Sequence, residues 1–369
     1  MTEQRTDGLA AGPTADSRRE RRGPAAIGRQ IIASVGAENL SLLIALAILV
    51  VLIASQSDKF FLSQNLLNIG QNISVVGLVA IGETIVIVAG MLDISVGSIA
   101  GVASVVAALV LLGSGDVVGG SGLAVSAGNA PVAVVGGILI GLVLGLVNGF
   151  IITALRVNAV IATLATLSAF RGLAFLIAPG GKPVTVLNQG FIALGTGRLD
   201  LIPGWPIPVS LLILLAVAVG FGVLMRYMDF GRAVYALGGN PAAARLAGIH
   251  VTRLKLWIYA LSGAAAGMAG IILTARTNSG QPASGSQGLE LEAITAVFLG
   301  GASLQGGRGT IAGTMLAVVL IGALSNGMNL LGIATFYQLV AKGALLVVAV
   351  AISQWRQARA ERARTRVAA

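Results

Sequence analysis

Apolar residues run in long blocks separated by short polar or glycine-rich breaks. The blocks fall near 40–55, 66–89, 95–113, 131–154, 159–178, 208–226, 256–275, 289–302, 310–331 and 335–353. A bilayer core takes about 20 helical residues to cross, so the pattern predicts an all-α polytopic membrane protein with about ten transmembrane helices. Several blocks are short for that task or carry Gly and polar side chains, which favours packing against other helices over exposure to lipid. Gly137, Gly141, Gly145 and Gly149 recur at every fourth position, and Gly263 and Gly267 share that spacing. Such stripes let two helices approach closely.

One break differs from the rest. Residues 226–255 read RYMDFG followed by RAVYALGGNPAAARLAGIHVTRLK, the longest basic interruption within the apolar part. Asn240 can cap a helix, Pro241 is preset for a first helical position, residues 242–247 favour helix, and Gly248 offers a left-handed stop. A helix of two turns neither crosses a bilayer nor stands alone in water, so this one is expected to dock on a partner. Around it the chain divides into a disordered tail at 1–39, a transmembrane domain at 40–353 that includes the loop 227–255, and a basic tail at 354–369.

Charge sets the expected orientation. Arg18, Arg19, Arg21 and Arg22 precede the first block, and Arg356, Arg359, Arg362, Arg364 and Arg366 follow the last. The positive-inside rule puts both tails in the cytoplasm, which requires an even number of spans. Ten spans then place Arg156, the 226–255 loop and Arg308 inside, and the segments 113–130 and 179–207 outside. Lys59, Lys182, Arg198 and Arg276 run against the bias.

Composition narrows the class. Of 369 residues 56% are hydrophobic and 10% charged, against roughly 25% charged in soluble domains, which excludes a water-soluble globular fold. The net charge of +10 gathers in the tails and the loop without interleaved aromatics, a topological distribution that gives no reason to expect a nucleic-acid partner. The chain has no cysteine and a single histidine, His250, with no clustered carboxylates beside it, so no metal site is expected. No catalytic residue and no cofactor bound by this chain is expected either.

Ionisable residues at membrane depth cost about 2.5–3.5 kcal/mol each on insertion scales, so each is a functional candidate. Glu83, Asp93, Arg171, Glu292 and Lys342 form the set. Glu83 suits a proton or cation relay, or a structural pair with Lys342 or Arg171. Asp93 and Ser95, in GMLDISVGS, suit capping of the third span. Arg171 and Lys342 either pair or extend toward an interface. No GxxxxGK[ST] phosphate loop is present, since Gly181 and Lys182 are followed by Pro183, and SLQGGRG at 303–309 reads as a short turn. ATP-driven transport would need an ATPase on another chain.

Four segments carry a family resemblance. They are GMLDISVGSIAG at 90–101, NAVIATLATLSAFRGLAFLIAPGGKPV at 158–184, Gly231 with the following RAVYALGGNPAAARLAGIHVTRLK up to 255, and LGGASLQGGRGTIAGT at 299–314. Together they resemble the permease subunits of ABC sugar importers of the ribose, xylose and galactose type, within a larger grouping that includes branched-chain amino-acid permeases. The likeness runs from about 40 to 355. The first segment looks like the family's GGIDLSVGS, with Met91 and Leu92 in place of the usual Gly-Ile. The resemblance implies a type II ABC importer-like fold in a bacterial plasma membrane and a homodimeric permease. It also implies an ABC ATPase partner that uses ATP and Mg, and an extracytoplasmic sugar-binding protein. Gly238 to Gly248, with Gly239, Asn240, Pro241, Ala244 and Arg245, would then be the coupling helix seated in the ATPase. Glu83, Asp93, Ser95, Arg171, Glu292 and Lys342 stay as candidates for the translocation path. Two other readings remain: an amino-acid ABC permease, and an ion-coupled secondary transporter using Glu83 and Asp93.

Overall fold

The computed structural model describes residues 37–112, 129–202, 205–283 and 286–368; the tail expected at 1–39 and the glycine-rich segment at 113–130 lie almost wholly outside these. Among the described residues are thirteen α-helices and a few very short strands. The first five helices are α1 (Ala37–Gln56), α2 (Ser63–Val88), α3 (Val96–Leu112), α4 (Ala130–Ala154) and α5 (Ala159–Ile177). An irregular stretch then holds α6 (Gln189–Thr196) before α7 (Val209–Tyr227), α8 (Asp229–Gly239) and α9 (Pro241–Leu246). The chain closes with α10 (Val251–Thr277), α11 (Leu289–Leu299), α12 (Ile311–Leu330) and α13 (Thr335–Ala368). α13 thus continues through the stretch that the sequence set apart as a tail.

Eight of these, α1, α2, α4, α5, α7, α10, α12 and α13, are long and apolar enough to cross a membrane. The other two predicted spans come out short: α3 has 17 residues and α11 has 11. At 1.5 Å per residue, α11 covers only about 16 Å. Before it, residues 281–283 and 286–288 run as non-helical backbone, with Gln281, Pro282 and Ser286 against α3. Gln281 N–H donates to Ser104 Oγ at 2.9 Å, and Gly101 and Gly97 of α3 leave room for the Pro282 and Ser286 carbonyls. Irregular backbone at that depth is tolerable only where protein covers it. α3 is short for a related reason, because residues 89–95 fold back beside α2 before the helix starts.

α2 and α10 are mostly buried, while α1 and α13 are mostly exposed, so the first pair forms the axis of the bundle. Leu78, Ile81 and Ile85 of α2, Ile99 of α3, and Ile258 and Tyr259 of α10 are fully buried in one core. The glycine stripes act as their spacing predicts. A Cβ on Gly141 would sit 2.3 Å from the Gly263 carbonyl, and one on Gly267 would sit 2.5 Å from that of Gly137. α4 and α10 therefore touch backbone to backbone.

The two ends of the bundle differ. One carries a cap built from 179–202 and 205–208: β1 (Val184–Thr185) pairs antiparallel with β4 (Ser279–Gly280), and β2 (Arg198–Ile202) pairs antiparallel with β3 (Trp205–Pro208). Asn188 caps α6 by accepting from Phe191 N–H at 3.0 Å. The opposite end gathers α8, α9, the 89–95 turn and the 300–310 turn.

Candidate functional site

At that second end the sequence expectation for a short capped helix holds residue by residue. α8 tucks Gly231, Val234 and Leu237 inward at helical spacing. Tyr235 donates from it to the Gly309 carbonyl at 2.8 Å, and burial pushes its phenol above the ordinary value, so it remains the donor at neutral pH. Asn240 is extended (φ −158°, ψ 101°), which breaks α8 from α9. Its Oδ1 accepts from the N–H groups of Ala242 and Ala243, each at 3.0 Å. Pro241 occupies the first turn, where its missing N–H costs nothing. At the other end Gly248 takes φ +83°. Its N–H bonds the Arg245 carbonyl at 3.0 Å, and Ile249 N–H bonds that of Ala244 at 3.1 Å. This αL stop closes the helix.

Only one residue of α9 faces inward. Ala244 is 3% exposed, whereas Leu246 is 90% exposed and Arg245 also points out. Ala244 is therefore the seat of the helix on its own chain. Leu246, which the sequence reading passed over, is its most prominent outward apolar group.

The base of this helix is joined to the bundle through glycines. A Cβ on Gly238 would lie 1.9 Å from the Val88 carbonyl and 2.5 Å from Gly307 N, and those two atoms are themselves bonded, Gly307 N–H to Val88 O at 2.7 Å. Gly306 (φ +85°) packs on Gly90, and Gly307 packs on Gly239. The SLQGGRG turn is thus a structural partner of the loop helix, a role its reading as a plain turn missed. The two Gly-Gly pairs, at 238–239 and 306–307, were the available signal.

The intramembrane polar residues fall into three separate groups. In the first, Glu83, Asp93, Ser95 and Asn148 are all 0% exposed. Asp93 Oδ1 accepts from Ser95 N–H at 3.0 Å and from Ser95 Oγ at 2.6 Å. Asn148 Nδ2 donates to Ser95 Oγ at 2.7 Å, and Asp93 N–H donates to Glu83 Oε1 at 3.1 Å. The node pins the fold-back between α2 and α3 to α4. Asp93 caps the turn at Ser95 and does not reach the first-turn amides of α3.

The expected pairing of Glu83 with Lys342 or Arg171 is corrected by the remaining groups. Arg171 lies 3.8 Å from Glu290, which is buried against Gly97, and Lys342 Nζ is 2.5 Å from Glu292 Oε1. Both bases instead pair with the two acidic residues in the first turn of α11. Sequence reading missed Glu290 and Asn148. Asn148 had no mark beyond standing next to Gly149 of the glycine stripe.

The described residues thus form a polytopic helical bundle with one capped, outward-facing helix and separate groups of buried polar side chains. Residues 65–350 match the family described as branched-chain amino acid transport system / permease component, and the chain belongs to that family. Among curated relatives, the ribose import permease protein of Bacillus subtilis is 41% identical over 323 residues, covering 87% of this chain and 94% of the relative. Its Escherichia coli K12 counterpart is 39% identical over 324 residues, covering 85% and 93%. The L-arabinose transport system permease protein of the same strain is 38% identical over 320 residues, covering 87% and 92%. No solved structure matches the chain significantly.

Proposed function

We propose that this chain is the transmembrane permease subunit of an ATP-driven importer that passes a monosaccharide, delivered by an extracytoplasmic binding protein, across a bacterial plasma membrane. The supporting observation is α9, a helix capped at both ends, seated by Ala244 alone and offering Arg245 and Leu246 outward. A six-residue helix has no stability of its own, so its ordered, uncovered face fits a surface awaiting a partner. An ABC ATPase, holding ATP and Mg, fills that role. The permease itself hydrolyses nothing and binds no cofactor. A sugar fits better than a branched-chain amino acid, because the relatives above carry ribose and arabinose in their names. The working unit is a homodimer with both termini and α9 cytoplasmic and the β1–β4 cap outside.

The test is reconstitution of permease, ATPase and sugar-binding protein in proteoliposomes with ATP trapped at the α9 side and no ion gradient. Accumulation of ribose or arabinose under those conditions supports the reading. Uptake by the permease alone, driven by a proton or sodium gradient, refutes it.

A further inference from the structure

A cavity of about 490 Å³ opens between α2, α10, α11, α12 and α13, within the roughly 300–1,000 Å³ range of small-molecule sites. Its walls come from parts of the chain far apart in sequence, and its polar groups converge on one space. Arg276 of α10 donates to Asn72 Oδ1 of α2 at 2.5 Å. Gln338 of α13 donates to Asn329 Oδ1 at 2.8 Å, and Ser325 of α12 lies one turn deeper. The Lys342–Glu292 pair forms the wall shared with a second, smaller cavity of about 140 Å³ lined mainly by apolar residues such as Leu291, Leu339 and Leu346.

We propose that the larger cavity is a contact site for the translocated monosaccharide, with the Lys342–Glu292 ion pair as the barrier between it and the smaller cavity. This rests on the importer reading above. Amide, hydroxyl and guanidinium groups offer donors and acceptors together, which is what adjacent sugar hydroxyls require. A lipid tail would offer nothing to the donors and acceptors these groups have left over after bonding one another. An amino-acid zwitterion would find Arg276 for its carboxylate but no free acid for its ammonium, since Glu292 is taken by Lys342. A neutral polyol matches the lining as it stands. Opening the ion pair would then join the two cavities, and closing it would hold the sugar on the cap side.

Because the chain lacks cysteine, Ser325→Cys gives a single reporter inside the cavity. The assembled transporter is turned over with ribose or arabinose, whichever the unmodified complex accumulates, while a small water-soluble thiol reagent is applied. At ten times the half-saturating sugar concentration, modification is expected to slow about tenfold, with leucine giving no protection. Ser325→Trp, which fills the space, is expected to lower uptake about tenfold or more, while the permease still co-purifies with its ATPase. Modification unchanged by sugar, or protection by leucine instead, overturns the proposal. So does wild-type uptake by the Trp variant. If that variant fails to assemble, the cysteine result decides alone. Failure of the unmodified complex to accumulate any sugar with ATP instead sinks the importer reading, so the two failures are told apart.

Discussion

The Glu83–Asp93 node and the Glu292–Lys342 pair both place ionisable residues at membrane depth and treat them in opposite ways. The node is fully enclosed and brings two carboxyl groups together with no base; one oxygen of each accepts from backbone N–H or the Ser95 hydroxyl, while Glu83 Oε2 and Asp93 Oδ2 stay buried without a protein partner. The pair matches opposite charges, is about a quarter exposed (25% and 23%), and borders two cavities. A buried polar group must be hydrogen-bonded wherever it sits, but only a group beside a cavity can meet a traveller. Enclosure marks the node as a fastening of the fold, and cavity access marks the pair as a candidate part of the path.

The comparison breaks most sharply at the joint below the node. Gly238→Val places a side chain on the Val88 carbonyl, which lies under the node on α2. Overpacking of this kind costs roughly 1–3 kcal/mol, and sugar-stimulated ATPase of the assembled complex should fall by about a factor of ten while membrane insertion persists. Stimulation at the wild-type level in a well-inserted variant would show that this joint transmits nothing.

Next come the pair's own charges. Glu292→Gln leaves Lys342 uncompensated, and with the pair partly hydrated the expected loss is about 1–3 kcal/mol. Lys342→Met should act alike, and the double variant should recover most of the lost thermal stability in detergent. Additive losses would mean that the two side chains do not interact. The node should respond less: Glu83→Gln keeps an oxygen to accept Asp93 N–H, so stability should change by under about 1 kcal/mol. ATP-driven uptake should continue and resist protonophore, whereas complete loss of concentrative uptake would move the node from fastening to proton relay.

The smallest effect is purely topological. Cysteines placed at Leu187 in the cap and Leu246 on α9, both exposed, are read by labelling alone. An impermeant thiol reagent applied to intact cells should label only the first, and labelling at 246 would invert the orientation.

The polytopic class and the loop helix were legible because each depends on local sequence. Block length and hydropathy announce a span, and Asn240, Pro241 and Gly248 mark the helix ends by their own backbone chemistry. The glycine stripes of α4 and α10 were also readable, since their spacing is a helical period. What could not be read was which base meets which acid. Glu83, Glu292 and Lys342 look equivalent along the chain, and their partners depend on how α11 is set against α5 and α13. The same holds for the cavity, whose polar groups come from several helices. Arg276 stood out in the sequence only as a charge on the wrong side of the membrane. The shortness of α11 was hidden too, because Gln281, Pro282 and Ser286 precede it as covered, irregular backbone inside the bundle.

The contact of Gly238 and Gly239 with Gly90, Gly306 and Gly307 can be considered as a machine joint. Side chains change rotamer under load and so absorb part of any displacement, whereas backbone held against backbone has almost no such slack. A displacement at Gly238 would therefore reach the end of α2 with little lost motion. Glu83 lies five residues further along, about 7–8 Å by helical rise. Under the importer reading proposed above, the linkage has minimal backlash, and a displacement of an ångström or so at Val88 would be felt at the first buried node.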